Sequence, residues 1–117
     1  MVSTDTFQQM ALSFPASTEQ PHFEKTSFRV SKKIFATLDI KNKLVSIKLS
    51  AADQDVFSAF DKTIIYPVPN KWGKQGWTII NLQKIRKAMC MDALTCAYLQ
   101  VTPKKNASLL PSPQKNK

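Results

Sequence analysis

Fifteen lysines, two arginines, eight acids and a single histidine set the chemistry open to this 117-residue chain. A formal net charge of +9 points toward phosphate or another polyanion as partner. The cations are grouped. Residues 25–48 carry Lys25, Arg29, Lys32, Lys33, Lys41, Lys43 and Lys48 against Asp39 alone, and residues 71–91 carry Lys71, Lys74, Lys84, Arg86 and Lys87 with no acid. The second group begins in Trp72-Gly73-Lys74-Gln75-Gly76-Trp77, which holds both glycines and both tryptophans of the chain. Glycine reaches positive φ without steric penalty, and tryptophan either seals a core or presents a flat contact face. Lys71, Trp72, Lys74 and Gln75 therefore read as one nucleic-acid contact set. Arg29, Lys32, Lys33, Lys41 and Lys43, on strand hairpins, read as a second. Lysine in such excess over arginine predicts phosphate binding of low sequence specificity, because base readout favours the bidentate guanidinium. The competing reading is that lysines at hairpin tips are solvated and guard sheet edges against aggregation.

Other chemistries find little support. The chain has no nucleophile elbow, no P-loop and no HExxH, and glycine at 73 and 76 only leaves no phosphate-cradling loop. Asp53, Asp55 and Asp61 lie on or beside one expected helix and are explained by capping and dipole compensation. His22, between Pro21 and Phe23, reads as a packed or surface residue rather than a ligand. Cys90 and Cys96 would lie about 9 Å apart along a helix, too far for a disulfide, so both are expected reduced. No catalytic residue, metal or cofactor is expected, and the chain is read as a non-enzyme. An alternative is a protein- or ligand-interaction module, with Phe35 and Trp72 or Trp77 forming an apolar patch on an open sheet face. Against it, Trp77 at a strand start fits a core position better.

These side chains need elements to hold them. Thr4 to Leu12 reads as a helix capped by Ser3 or Thr4, burying Phe7, Met10 and Ala11. Residues 15–23, bracketed by Pro15 and Pro21, read as a loop or at best an edge strand. Three alternating runs follow, 26–30, 33–39 and 44–49; in the last, Val45, Ile47 and Leu49 face one side and Ser46 and Lys48 the other. A two-residue loop at Ser31-Lys32 would pair Val30 with Lys33, but it needs positive φ twice. A three-residue loop pairing Val30 with Ile34 is preferred. It sets Phe28, Val30, Ile34, Ala36 and Leu38 on the core face and Arg29, Lys33 and Phe35 opposite. Ser50 caps a helix over 51–60 with Val56, Phe57 and Phe60 buried. Strands at 63–66 and 77–80 flank the tryptophan–glycine stretch. Asn81 caps a last helix to Val101 with an inner stripe of Leu82, Ile85, Met89, Ala93, Cys96 and Leu99 or Gln100.

The expected order is α-β-β-β-α-β-β-α, an α+β, two-layer arrangement with helices on one face of an antiparallel sheet. A single domain spans 1–103, followed by a disordered basic tail at 104–117. No apolar run is long enough to span a membrane, and residues 1–13 lack a basic n-region, so a cytoplasmic monomer of a bacterium-like cell is expected.

Three stretches carry a family resemblance: Ser27-Phe28-Arg29-Val30 with Lys33-Ile34-Phe35-Ala36; Trp72-Gly73-Lys74-Gln75-Gly76-Trp77; and Leu94-Thr95-Cys96-Ala97-Tyr98 through Pro103-Lys104-Lys105. Taken in order across residues 14–105, they resemble the MmcQ/YjbR family, small bacterial proteins of a CyaY-like fold. The resemblance implies a two-layer α/β fold and a proposed DNA-binding role in which hairpins act as a double wing. It brings no catalytic residues. Many members have glycines at the first hairpin turn, where this chain has Ser31-Lys32, and that departure bears on the register.

Overall fold

The structure, a computed structural model, describes residues 1–22 and 24–102; the expected tail at 104–117 and the side chain of His22 fall outside the described residues. Helix α1 (Thr4–Leu12) is followed by strands β1 (Thr18–His22), β2 (Lys25–Val30), β3 (Lys33–Asp39) and β4 (Leu44–Lys48). Then come α2 (Ala51–Phe60), β5 (Ile65–Pro67), the four-residue α3 (Lys71–Lys74), β6 (Trp77–Asn81) and α4 (Lys87–Val101). The six strands form one sheet in the order β1-β2-β3-β4-β6-β5, with every neighbouring pair antiparallel. This is the expected α+β class, with an edge strand and a short helix added.

Helices α1 and α4 cover one face of the sheet, resting on β3 and β4. Val45 and Ile47 of β4 and Ile80 of β6 point into that layer, as the period-two alternation demands. An aromatic cluster locks it. Phe14 stacks on Tyr98 at 4.6 Å between centroids, Phe35 meets both edge-on at 6.1 and 5.6 Å, and Phe7 meets Phe28 edge-on at 5.8 Å. Tyr98 donates its hydroxyl to the Pro15 carbonyl at 2.6 Å, which satisfies the one polar group that its buried ring brings with it. Ser3 and Ser50 cap α1 and α2, accepting from the amides of Thr6 and Asp53 at 3.0 and 3.1 Å.

Several expectations are corrected. Of the two readings of residues 15–23, the edge strand is the one found, over residues 18–22, and Pro21 is tolerated there because an edge strand has a ladder partner on one side only. The first hairpin takes the two-residue turn, with Ser31 and Lys32 both at positive φ (51° and 72°) and Val30 opposite Lys33. Phe28 then pairs with Ala36 and Arg29 with Ile34, so Phe35 is the extra residue of a β-bulge. The two-residue turn points Phe35 into the core, fully buried, and leaves Ile34 half-buried on the open face beside Arg29; the bulge then returns Ala36 and Leu38 to the core face. In α2, Val56 and Phe60 are 69% and 62% exposed and only Phe57 packs against the core. That helix sits against edge strand β5 rather than over the sheet, so a narrow face is all it can bury.

The last helix begins at Lys87. Asn81 instead caps a turn, its Oδ1 accepting from the Gln83 amide at 3.0 Å, and Leu82 and Ile85 plug the core from that turn. The buried stripe of α4 is Cys90, Ala93, Leu94, Ala97 and Tyr98, with Met89 and Cys96 only partly buried and Leu99 44% exposed. The strand expected at 63–66 runs over Ile65–Pro67, pairing Ile65 with Ile80 and Pro67 with Thr78.

Candidate functional site

The tryptophan–glycine stretch is built as a braced corner. Asn70 caps α3, its Oδ1 accepting from the Trp72 amide at 2.8 Å. Gly73 and Gly76 are required by close approach: a Cβ on either would overlap a backbone carbonyl oxygen, that of Val68 for Gly73 and that of Leu49 for Gly76. Gly76 also sits at φ 106°, where an L side chain is strained. The Leu49 amide donates to the Gly76 carbonyl at 2.9 Å. The Gln54 Nε2 of α2 donates to the carbonyls of Gly73 (2.8 Å) and Trp77 (3.2 Å) and to the Thr78 Oγ1 (3.1 Å). This polar clamp spends the glycines on architecture and leaves Lys71, Trp72, Lys74 and Gln75 exposed, Trp72 by 50%.

The antiparallel register sorts the cations into two groups. β2 ends and β3 begins at the Ser31-Lys32 turn, and Lys48 pairs with Trp77 at that same end of the sheet. Lys32, Lys33 and Lys48 therefore share an end with Lys71, Trp72, Lys74 and Gln75. Lys41 and Lys43 lie in the β3–β4 turn at the other end, about 20 Å away along β3. The two hairpin tips do not converge. Arg29 lies between them on the open face, its Nε donating to the buried Ser27 Oγ at 3.0 Å.

That open face carries a concavity of about 400 Å³ lined by Lys25, Ile34, Thr37, Ser46, Val68, Trp72 and Trp77. The pairings explain the set. Thr37 faces Ser46 across β3 and β4, Ile34 follows the register of Arg29, and Trp77 is aligned with Lys48. Trp77 is half-buried on this face, not in the core as expected, because Thr78 and Ile80 take the inward positions of β6. The Lys48 Nζ lies 6.0 Å from the Trp77 ring centroid and donates to the Gln75 carbonyl, tying strand to loop. Of the apolar patch expected from Phe35 and the tryptophans, Phe35 drops out and Ile34 replaces it. Lys48 was legible in the alternation of β4; Ile34 and Lys25 were not, since their placement depends on the register of the first hairpin turn and on sheet order.

The model of the YjbR family matches residues 12–100. The chain belongs to the YjbR family. The crystal structure of a Deinococcus radiodurans protein with a DUF419 domain superposes with a TM-score of 0.77 at 22% identity, covering 90% of this chain and 82% of that one, so the fold is shared. No curated protein matches.

In this YjbR domain two of the acids hold turns. Asp39 accepts from the Asn42 side chain at 2.8 Å and its amide at 3.1 Å, contacts that close the β3–β4 turn and hold its carboxyl below the usual range. Asp61 accepts from the Thr63 amide and hydroxyl at 2.8 and 2.7 Å, which lowers its pKa likewise. Among the described residues, no three His, Cys, Asp or Glu side chains are grouped to hold a metal ion, and no helix is long and apolar enough to cross a membrane.

Cys90 is a buried free thiol whose pKa burial pushes up to about 12. Burial therefore keeps the group a neutral thiol near neutral pH. In a Cys96→Ser background, a disulfide-exchange reagent is expected to label Cys90 only as fast as the domain opens. Prompt labelling without denaturant would show Cys90 to be accessible. The fold favours the neutral thiol. Its contribution is therefore complete below the unfolded value of about 9 and is lost as pH rises through about 12.

Proposed function

We propose that this YjbR-family domain is a non-catalytic nucleic-acid-binding protein that grips the phosphate backbone with little sequence preference. The supporting observation is the shared end of the sheet. Lys32, Lys33 and Lys48 from the strands meet Lys71 and Lys74 from α3 there, with Trp72 and Gln75 exposed among them. Lysines at separate points along the chain are solvated charges; brought to one end, they form a field that counter-ion release can exploit. Arg29 extends that field onto the open face. Lys41 and Lys43, at the far end, are reached only by a ligand that crosses the face.

The test is binding of a duplex oligonucleotide across a salt series. Log K should fall linearly with log salt, with a slope of several ion equivalents. The Lys71→Ala/Lys74→Ala variant should reduce that slope by about 2, roughly one per phosphate contact, without changing the thermal melt. Absence of detectable binding of both duplex and single strand at about 50 mM salt, where such contacts are strong, sinks the proposal.

A further inference from the structure

The geometry points to a nucleobase-stacking site in the open-face concavity, so that unpaired single-stranded nucleic acid, rather than duplex, is the preferred ligand. This rests on the nucleic-acid reading above and names the ligand class that the site takes.

The concavity has the parts that single-strand recognition uses. Trp72 is half-exposed and Trp77 half-buried, and both line one hollow of about 400 Å³, within the range of small-ligand sites. A flat indole face offers stacking to any base, which explains affinity without sequence preference. Ile34 and Val68 complete an apolar wall. Thr37 and Ser46 set hydroxyls on the floor, where they can donate to or accept from a base edge. Cations ring the hollow: Lys25 on its lining, Lys48 beside Trp77, and Arg29 on the neighbouring strand. Asp39 lies near Lys25 and offsets part of its charge, so the phosphate path favours the Lys48 and α3 side.

A duplex keeps its base faces stacked internally and has none to give to Trp72. A single strand crossing the face can set a base in the hollow while its backbone follows Arg29, Lys48 and the lysines of α3. Charge decides against an apolar peptide as occupant. An acidic peptide remains a partner of matching charge, and the experiment separates it.

The probes are an oligothymidylate of about twelve nucleotides, an abasic strand of the same length and phosphate count, the corresponding duplex, and poly-glutamate. Titrations follow tryptophan fluorescence and fluorescence anisotropy at low salt. The expected result is quenching by oligothymidylate only, with affinity about 10-fold above the abasic strand. Trp72→Ala should erase that difference while retaining abasic binding, and because Trp72 is half-exposed the variant should melt like the parent. Equal affinity for oligothymidylate and abasic strand overturns the stacking site and leaves phosphate binding standing. Tighter binding of duplex than of single strand also overturns it. Quenching by poly-glutamate without quenching by oligothymidylate also overturns the stacking site, and no nucleic-acid binding at all overturns both readings.

Discussion

Gly76→Ala is expected to destabilise the domain by about 3 kcal/mol or more. Two costs combine. Holding alanine in the positive-φ region costs about 1–3 kcal/mol. The new Cβ also overlaps the Leu49 carbonyl, so the corner must move. Movement strains the bond from the Leu49 amide to the Gly76 carbonyl, worth about 1 kcal/mol net, and pulls Gly73 and Trp77 from the Gln54 amide. For a domain of this size, such a loss lowers the melting temperature by roughly 10–20 °C. Thermal and urea denaturation followed by circular dichroism give the number directly. A Gly76→Ala protein within about 1 kcal/mol of the parent would mean that the corner is not braced as described. Trp72→Ala is the control, since it removes a contact surface and no support.

The strands were legible because alternation is local. Val45, Ile47 and Leu49 read correctly as one face, and so did Ser46 and Lys48 as the other. The caps at Ser3 and Ser50 were equally local and equally readable. The first hairpin failed for a definable reason. Strict alternation cannot bury Phe28, Val30, Phe35, Ala36 and Leu38 together once Val30 pairs with Lys33. A two-residue turn puts Phe35 inward and Ala36 outward; a three-residue turn does the reverse. The fold has both residues inward, by bulging at Phe35 and accepting positive φ at Ser31 and Lys32. Burial of one phenylalanine, about 2–3 kcal/mol, is of the size of the backbone cost it offsets, and no turn propensity reveals that exchange.

The helices failed where their surroundings, not their own pattern, choose the buried face. Val56 and Phe60 are apolar at helical spacing, yet α2 packs mainly on an edge strand and turns Gln54 to the corner instead. Asn81 has the chemistry of a helix cap and uses it on a turn. The candidate site was legible in composition and illegible in assembly. Lys71, Trp72, Lys74 and Gln75 stood out as a loop of unusual residues. Their neighbours Ile34, Thr37, Ser46 and Lys25 come from β2, β3 and β4, and the pairing of β4 with β6 skips over α2, β5 and α3. Long-range pairing of that kind leaves no mark in a local window.

Phe35→Ala and Ile34→Ala, side by side, test the register of that hairpin and carry the second large effect. Phe35 is fully buried and touches Phe14 and Tyr98 edge-on, so its truncation leaves a cavity beneath α4. Such truncations cost about 3–5 kcal/mol, a large part of the stability that a domain of this size has. Ile34 is half-buried on the open face, where removal of its side chain vacates no core volume. Ile34→Ala should cost about 1 kcal/mol or less, and its effect should appear as weaker single-strand binding. The unbulged three-residue register reverses the order, with Ile34 inside and Phe35 outside. Urea midpoints of the two variants therefore distinguish the registers without a further structure. Should Phe35→Ala fail to fold, Phe35→Leu gives the same comparison at smaller cost, since leucine refills most of the cavity. If Ile34→Ala proves the more damaging of the pair, then Ile34 rather than Phe35 is the core residue. The open-face concavity would then lose the wall that faces its tryptophans.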